Sequence, residues 1–120
     1  MKTILVIEDN PEIRENTAEI LELSGFKVVT ASSGQEGLAM TYDPMPDIIL
    51  CDIMMSQIDG YEVIRQLKRN PLTASIPFVY LTAKVEKDEL KLAMDLGACA
   101  YIRKPFDADD LVRTVNHCLL

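Results

Sequence analysis

Residues 47–69 read DIILCDIMMSQIDGYEVIRQLKR, and the stretch changes texture at its middle. Asp47 to Cys51 is an apolar run without polar alternation, the pattern of a strand covered on both faces. Gly60 to Arg69 has helical spacing. Two acids stand between them. Asp59, followed three residues later by Glu62, fits a helix capping box. Asp52 has no such role, because Ile53 and Met54 are poor turn residues. A bare acid at the end of a covered strand is either a turn-former or a reagent, and the rest of the chain has to decide which.

The same alternation runs through the whole sequence. Apolar or β-branched runs occur at Thr3 to Ile7, Lys27 to Ala31, Asp47 to Cys51, Pro77 to Leu81 and Cys99 to Arg103. Helical spacing follows each of them, at Pro11 to Ser24, Ser33 to Tyr42, Gly60 to Arg69, Glu86 to Leu96 and Asp107 to Leu119. Five strand–helix units predict one α/β domain over residues 1–120, a (βα)5 doubly wound parallel sheet with helices on both faces. Asn10 and Pro11 supply a cap and a first-turn proline, and Gly25 stops that helix after an inner face of Ile13, Thr17, Ile20, Leu21 and Ser24. Ser33 with Glu36 is a second capping box.

Composition narrows the function classes. No apolar run approaches the ~18 residues of a membrane span, and MKTILVIEDN is too short and too acidic for a signal peptide. A cytoplasmic protein is expected. Twelve basic against nineteen acidic residues give a net charge of −7, which repels phosphate backbones and argues against direct nucleic acid binding. Cys51, Cys99 and Cys118 show no CxxC spacing and read as small buried hydrophobes in a reducing compartment.

In an open parallel sheet, ligands bind beyond the carboxyl ends of the strands. Glu8 and Asp9 follow the first predicted strand, Asp52 the third, Thr82 the fourth and Lys104 the fifth. Taken singly, each has a plain explanation: a cap, a turn, a strand-end hydroxyl, a surface lysine. Taken together, three carboxylates, a hydroxyl and an ammonium converge on one sheet edge. Crowded carboxylates need a neutralising cation, and an oxygen-only donor set suits Mg²⁺. A carboxylate held there can act as nucleophile toward phosphorus, with the ammonium and hydroxyl neutralising the transferred oxygens. No GxGxxG or GxxxxGK[ST] loop follows the first strand, so the usual cradle for a nucleotide is missing. His117 sits in the last helical turn, a surface position rather than a catalytic one.

At this point ILVIEDNPEIR, PDIILCDIMM with DGYEVIRQLK, IPFVYLTA and GACAYIRKPF together resemble the receiver domain of two-component response regulators. The resemblance covers the whole chain and implies strand order 2-1-3-4-5. It implies that Asp52 is the phosphoacceptor, and that Glu8, Asp9, Asp52 and the Met54 backbone carbonyl hold Mg²⁺. Thr82 and Lys104 would contact the phosphoryl oxygens, and Lys104–Pro105 would be a cis peptide. Tyr101 would be the switch aromatic, rotating when Thr82 moves and remodelling the face of the fourth helix, fifth strand and fifth helix. The implied partners are a sensor histidine kinase or phosphotransfer protein, and a downstream effector or a second copy in a homodimer. The implied domain is no enzyme beyond its own phosphorylation and dephosphorylation. Ser56 stands where the family often has proline, and Met54 and Lys84 occupy positions that tune hydrolysis in the family. Two alternatives stay open here. A haloacid-dehalogenase-like Mg²⁺-dependent phosphohydrolase would place its nucleophile after strand one, and a phosphorylation-independent pseudo-receiver would lack one of the key residues.

Overall fold

The computed structural model describes residues 1–42, 44–83 and 86–120. Its elements alternate as β1 (Thr3–Ile7), α1 (Pro11–Leu23), β2 (Lys27–Ala31), α2 (Gly34–Ala39) and β3 (Ile48–Asp52). They continue as α3 (Gly60–Arg69), β4 (Phe78–Thr82), α4 (Lys87–Asp95), β5 (Ala100–Arg103) and α5 (Ala108–Leu119). The strands form one parallel sheet in the order β2-β1-β3-β4-β5.

Successive strand side chains point to opposite faces, so each inner strand feeds two cores. Ile4, Val6, Ile48, Leu50, Val79 and Leu81 pack with Leu21 of α1 and with Leu111 and Val115 of α5. Leu5, Ile7, Ile49, Cys51, Phe78 and Tyr80 pack on the other side with Val63, Ile64 and Leu67 of α3 and Ala93 of α4. Each large aliphatic side chain buried in this way contributes about 1.5–3 kcal/mol relative to exposure. The expectation of strands covered on both faces holds for β3 and β4, which are buried throughout, and for all of β1 but its first residue. It fails for the edge strands β2 and β5, which have one neighbour each and are only partly covered.

Asn10 caps α1 by accepting the Ile13 amide, and Gly25 ends that helix with φ 97°. Of the expected inner face of α1, Thr17 and Leu21 are buried. Ser24 is instead an exposed C-cap whose hydroxyl donates to the Ile20 carbonyl. Helix α2 stops at Ala39, short of the expected Tyr42. Both expected capping boxes are half-formed. Ser33 and Asp59 accept the Glu36 and Glu62 amides, but Glu36 takes the Ser32 hydroxyl and Glu62 takes Gln66 Nε2.

The cysteine expectation is corrected. Cys51 is a free, buried thiol, but Cys99 and Cys118 form a disulfide with their Cα atoms 6.1 Å apart. The fold brings together the residue before β5 and the last turn of α5, two positions with no local spacing signal.

Candidate functional site

The carboxyl ends of β1, β3, β4 and β5 deliver the site residues side by side. Asp52 is the last residue of β3, one residue further into the strand than the sequence pattern suggested, and it is buried. Thr82 closes β4, next to it in the sheet, and is also buried. The Thr82 carbonyl accepts the Lys104 amide at 2.7 Å, which fixes the turn beyond β5, and Lys104–Pro105 is cis. On the other side of β3, Glu8 is fully buried just past β1, while Asp9 is exposed.

Lys104 links the cluster. Its ammonium lies 3.2 Å from Asp52 Oδ2 and 2.5 Å from Glu8 Oε1, with its side chain 14% exposed. Burial alone would lower the lysine pKa, but the hydrogen bond to Glu8 and the charges of Asp52 and Glu8 raise it above its ordinary value. Lys104, which would by default be a surface lysine, is therefore a fixed cation. Beside it, an open cavity of about 580 Å³ is lined by Glu12, Ile13, Asn16, Ala83, Lys104, Pro105 and Phe106.

The loop after β3 is shaped by two contacts. The Met54 amide donates to Asp52 Oδ1 at 3.3 Å, and the Gly60 amide returns to the Ile53 carbonyl at 2.9 Å. A Cβ on Gly60 would stand 2.6 Å from the Asp52 carbonyl oxygen and 2.9 Å from Ile53 Cα. Only glycine lets α3 begin this close to Asp52. Ser56 is exposed in this loop, and Gln57 beside it takes φ 69°. Asp59, the other candidate acid, accepts the Glu62 amide as the α3 cap. Lys84 lies outside the described residues. Tyr101 of β5 is 40% exposed and registers with Tyr80. His117 is exposed in the last turn of α5. Burial, then the charges of Asp52 and Glu8, push the Cys51 thiol well up, so it stays protonated and inert.

Glu8, Asp9 and Asp52 each offer a carboxylate oxygen, all within 4.8 Å of one another. Three carboxylates beside one ammonium leave an excess of two negative charges, with oxygen donors only and an exposed side at Asp9. That donor set fits a hard divalent cation such as Mg²⁺, which keeps part of its water shell. Sequence reasoning missed two contributors, the glycine contact above and Arg14. The Arg14 guanidinium donates from α1 to the Glu8 carbonyl at 2.9 Å. An arginine five residues past Asp9, near the start of the expected helix, was the available signal.

Comparison with known proteins shows the family and the fold. Residues 4–116 match the family model of the response regulator receiver domain. The chain is 36% identical over 119 residues to response regulator SaeR of Staphylococcus aureus, covering 99% of this chain and 51% of that protein. It thus spans about half the length of the curated relatives it matches. Among solved structures, chemotaxis protein CheY4 of Vibrio cholerae superposes with a TM-score of 0.94 at 25% identity, over 98% of both chains. A response regulator receiver domain protein of Clostridium thermocellum gives 0.91 at 34% identity, over 99% of this chain and 94% of the other.

Proposed function

The chain belongs to the response regulator receiver family, and from that premise we propose that it is a two-component signalling switch phosphorylated on Asp52. Residues 1–120 form one receiver domain in this reading. The observation that carries it is the position of Asp52, buried at the end of the central strand with Lys104 Nζ 3.2 Å away and two further acids beside it.

The donor is a phosphohistidine on a sensor histidine kinase or phosphotransfer protein. An Asp52 carboxylate oxygen attacks phosphorus as the P–N bond breaks, the departing imidazole nitrogen takes up one proton, and the phosphoryl group ends on Asp52. Glu8, Asp9, Asp52 and the Met54 carbonyl would hold Mg²⁺, which when bound neutralises charge on the transferred oxygens. Lys104, already fixed beside Asp52, pairs with a phosphoryl oxygen, and the Thr82 hydroxyl donates to another. When Thr82 is drawn toward the phosphate, the outward ring of Tyr101 turns in and the face of α4, β5 and α5 changes shape. That face then binds an effector or a second copy of the chain. Catalysis extends only to the domain's own phosphorylation and dephosphorylation.

The net charge of −7 does not suit direct nucleic acid binding by this domain. No helix among the described residues is long and apolar enough to cross a membrane, and the proposed kinase partnership places the domain in the cytoplasm. The reading is tested by incubating the protein with a phosphorylated histidine kinase and Mg²⁺. Transfer of labelled phosphoryl to the chain is expected, and transfer that proceeds equally in excess chelator would contradict it.

A further inference from the structure

Within the acidic cluster, Asp9 stands apart in what holds it. Each polar group of Glu8 is engaged. Its amide donates to the Ala31 carbonyl, its carbonyl accepts Arg14 Nη1, one carboxylate oxygen accepts Lys104 Nζ, and the other accepts the Asn10 amide. Among the described residues, the Asp9 carboxylate has no hydrogen bond or ion pair, and it is exposed. Its position is therefore inherited from the backbone on either side. On its C-terminal side Asn10 caps α1; on its N-terminal side the Glu8–Asp9 peptide carries the carbonyl that Arg14 clamps.

We propose that Arg14 is a positioning residue for divalent cation binding, holding the Glu8–Asp9 peptide so that the Asp9 carboxylate faces Glu8 and Asp52. This rests on the metal reading given above. A guanidinium is suited to the task because it is always charged and its hydrogen bond to a carbonyl is charge-assisted and directional. Arg14 is half-buried on the first turns of α1, so the clamp ties the acidic loop to a helix anchored in the core through Thr17 and Leu21. Groups that orient a metal ligand without touching the metal typically change affinity by about 10- to 100-fold when removed. The ligand atoms themselves are untouched, so the loss should fall on cation affinity rather than on the maximal rate of phosphorylation.

The test is calorimetric titration of the whole chain with Mg²⁺ alone, alongside thermal melting in chelator and acetyl phosphate labelling across Mg²⁺ concentration. Arg14→Ala is expected to raise the Mg²⁺ dissociation constant about 10-fold, with the melting temperature in chelator little changed. Arg14→Lys should recover part of the affinity, and the labelling rate of Arg14→Ala should approach wild type once Mg²⁺ saturates. Wild-type affinity in Arg14→Ala, with Asp9→Asn binding weakly, overturns the positioning role and leaves the metal site standing. Wild-type affinity in Asp9→Asn overturns the metal reading itself. An affinity loss that only tracks a lower melting temperature in chelator, unrestored by Arg14→Lys, also overturns the inference.

Discussion

Lys104 Nζ lies 3.2 Å from Asp52 Oδ2 although their strands are not neighbours, β4 running between β3 and β5. The lysine reaches across the end of β4 and also meets Glu8 beyond β1, so one cation ties the sheet edge together. Without a metal, Lys104→Met leaves the fully buried Glu8 carboxylate without its cationic partner, with only the Asn10 amide still donating to it. A loss on the order of 2 kcal/mol is expected in chemical unfolding in chelator, shrinking when Mg²⁺ is added. The folded-state pKa of Lys104 is raised above the ordinary 10.5. Its stabilisation is thus complete below that ordinary value and fades as pH rises through the folded one. The alkaline decline should be shallower in Lys104→Met; identical slopes for the two proteins would refute the pairing.

Gly60 makes a separate structural prediction. Gly60→Ala sets a methyl against the Asp52 carbonyl and Ile53 Cα, both backbone atoms that cannot rotate away. A cost of about 2 kcal/mol is expected, together with slower phosphorylation because the Asp52 backbone must shift. Wild-type stability and labelling in this variant would show that α3 can retreat freely.

Thr82→Ala separates chemistry from signalling. The variant should still accept a phosphoryl group on Asp52, because the carboxylate and Lys104 are intact. Phosphorylation should then no longer change the exposure of Tyr101, read by its ring resonances or by hydrogen exchange across β5. A normal phosphorylation-dependent change in Thr82→Ala would remove Thr82 from the switch.

Most of the fold was legible because covered strands and amphipathic helices leave different periods in sequence. The DIILC run marks β3 with an offset of one residue at each end, and the helical spacing from Gly60 to Arg69 matches α3. The site was legible for a related reason, since a parallel sheet gathers its strand ends at one edge, so Glu8, Asp9, Asp52, Thr82 and Lys104 could be placed together. Contacts that depend on three-dimensional closure were not legible. Nothing local links Cys99 to Cys118, and the exposure of Ser24 follows from where α1 ends rather than from its period. Edge strands misled for the same reason, since KVVTA looks like a central strand until its single neighbour is known. Half-formed capping boxes show that the amide half of the motif follows from backbone geometry, while the glutamate is free to choose another partner.

The central claim is that Asp52, and not the nearby Asp59, takes the phosphoryl group. The direct measurement is intact mass after acetyl phosphate and Mg²⁺ treatment of wild type, Asp52→Asn and Asp59→Asn. Asp59 is occupied as the α3 cap, so Asp59→Asn should gain one phosphoryl mass as wild type does, while Asp52→Asn gains none. Labelling that persists in Asp52→Asn, or vanishes only in Asp59→Asn, would contradict the account.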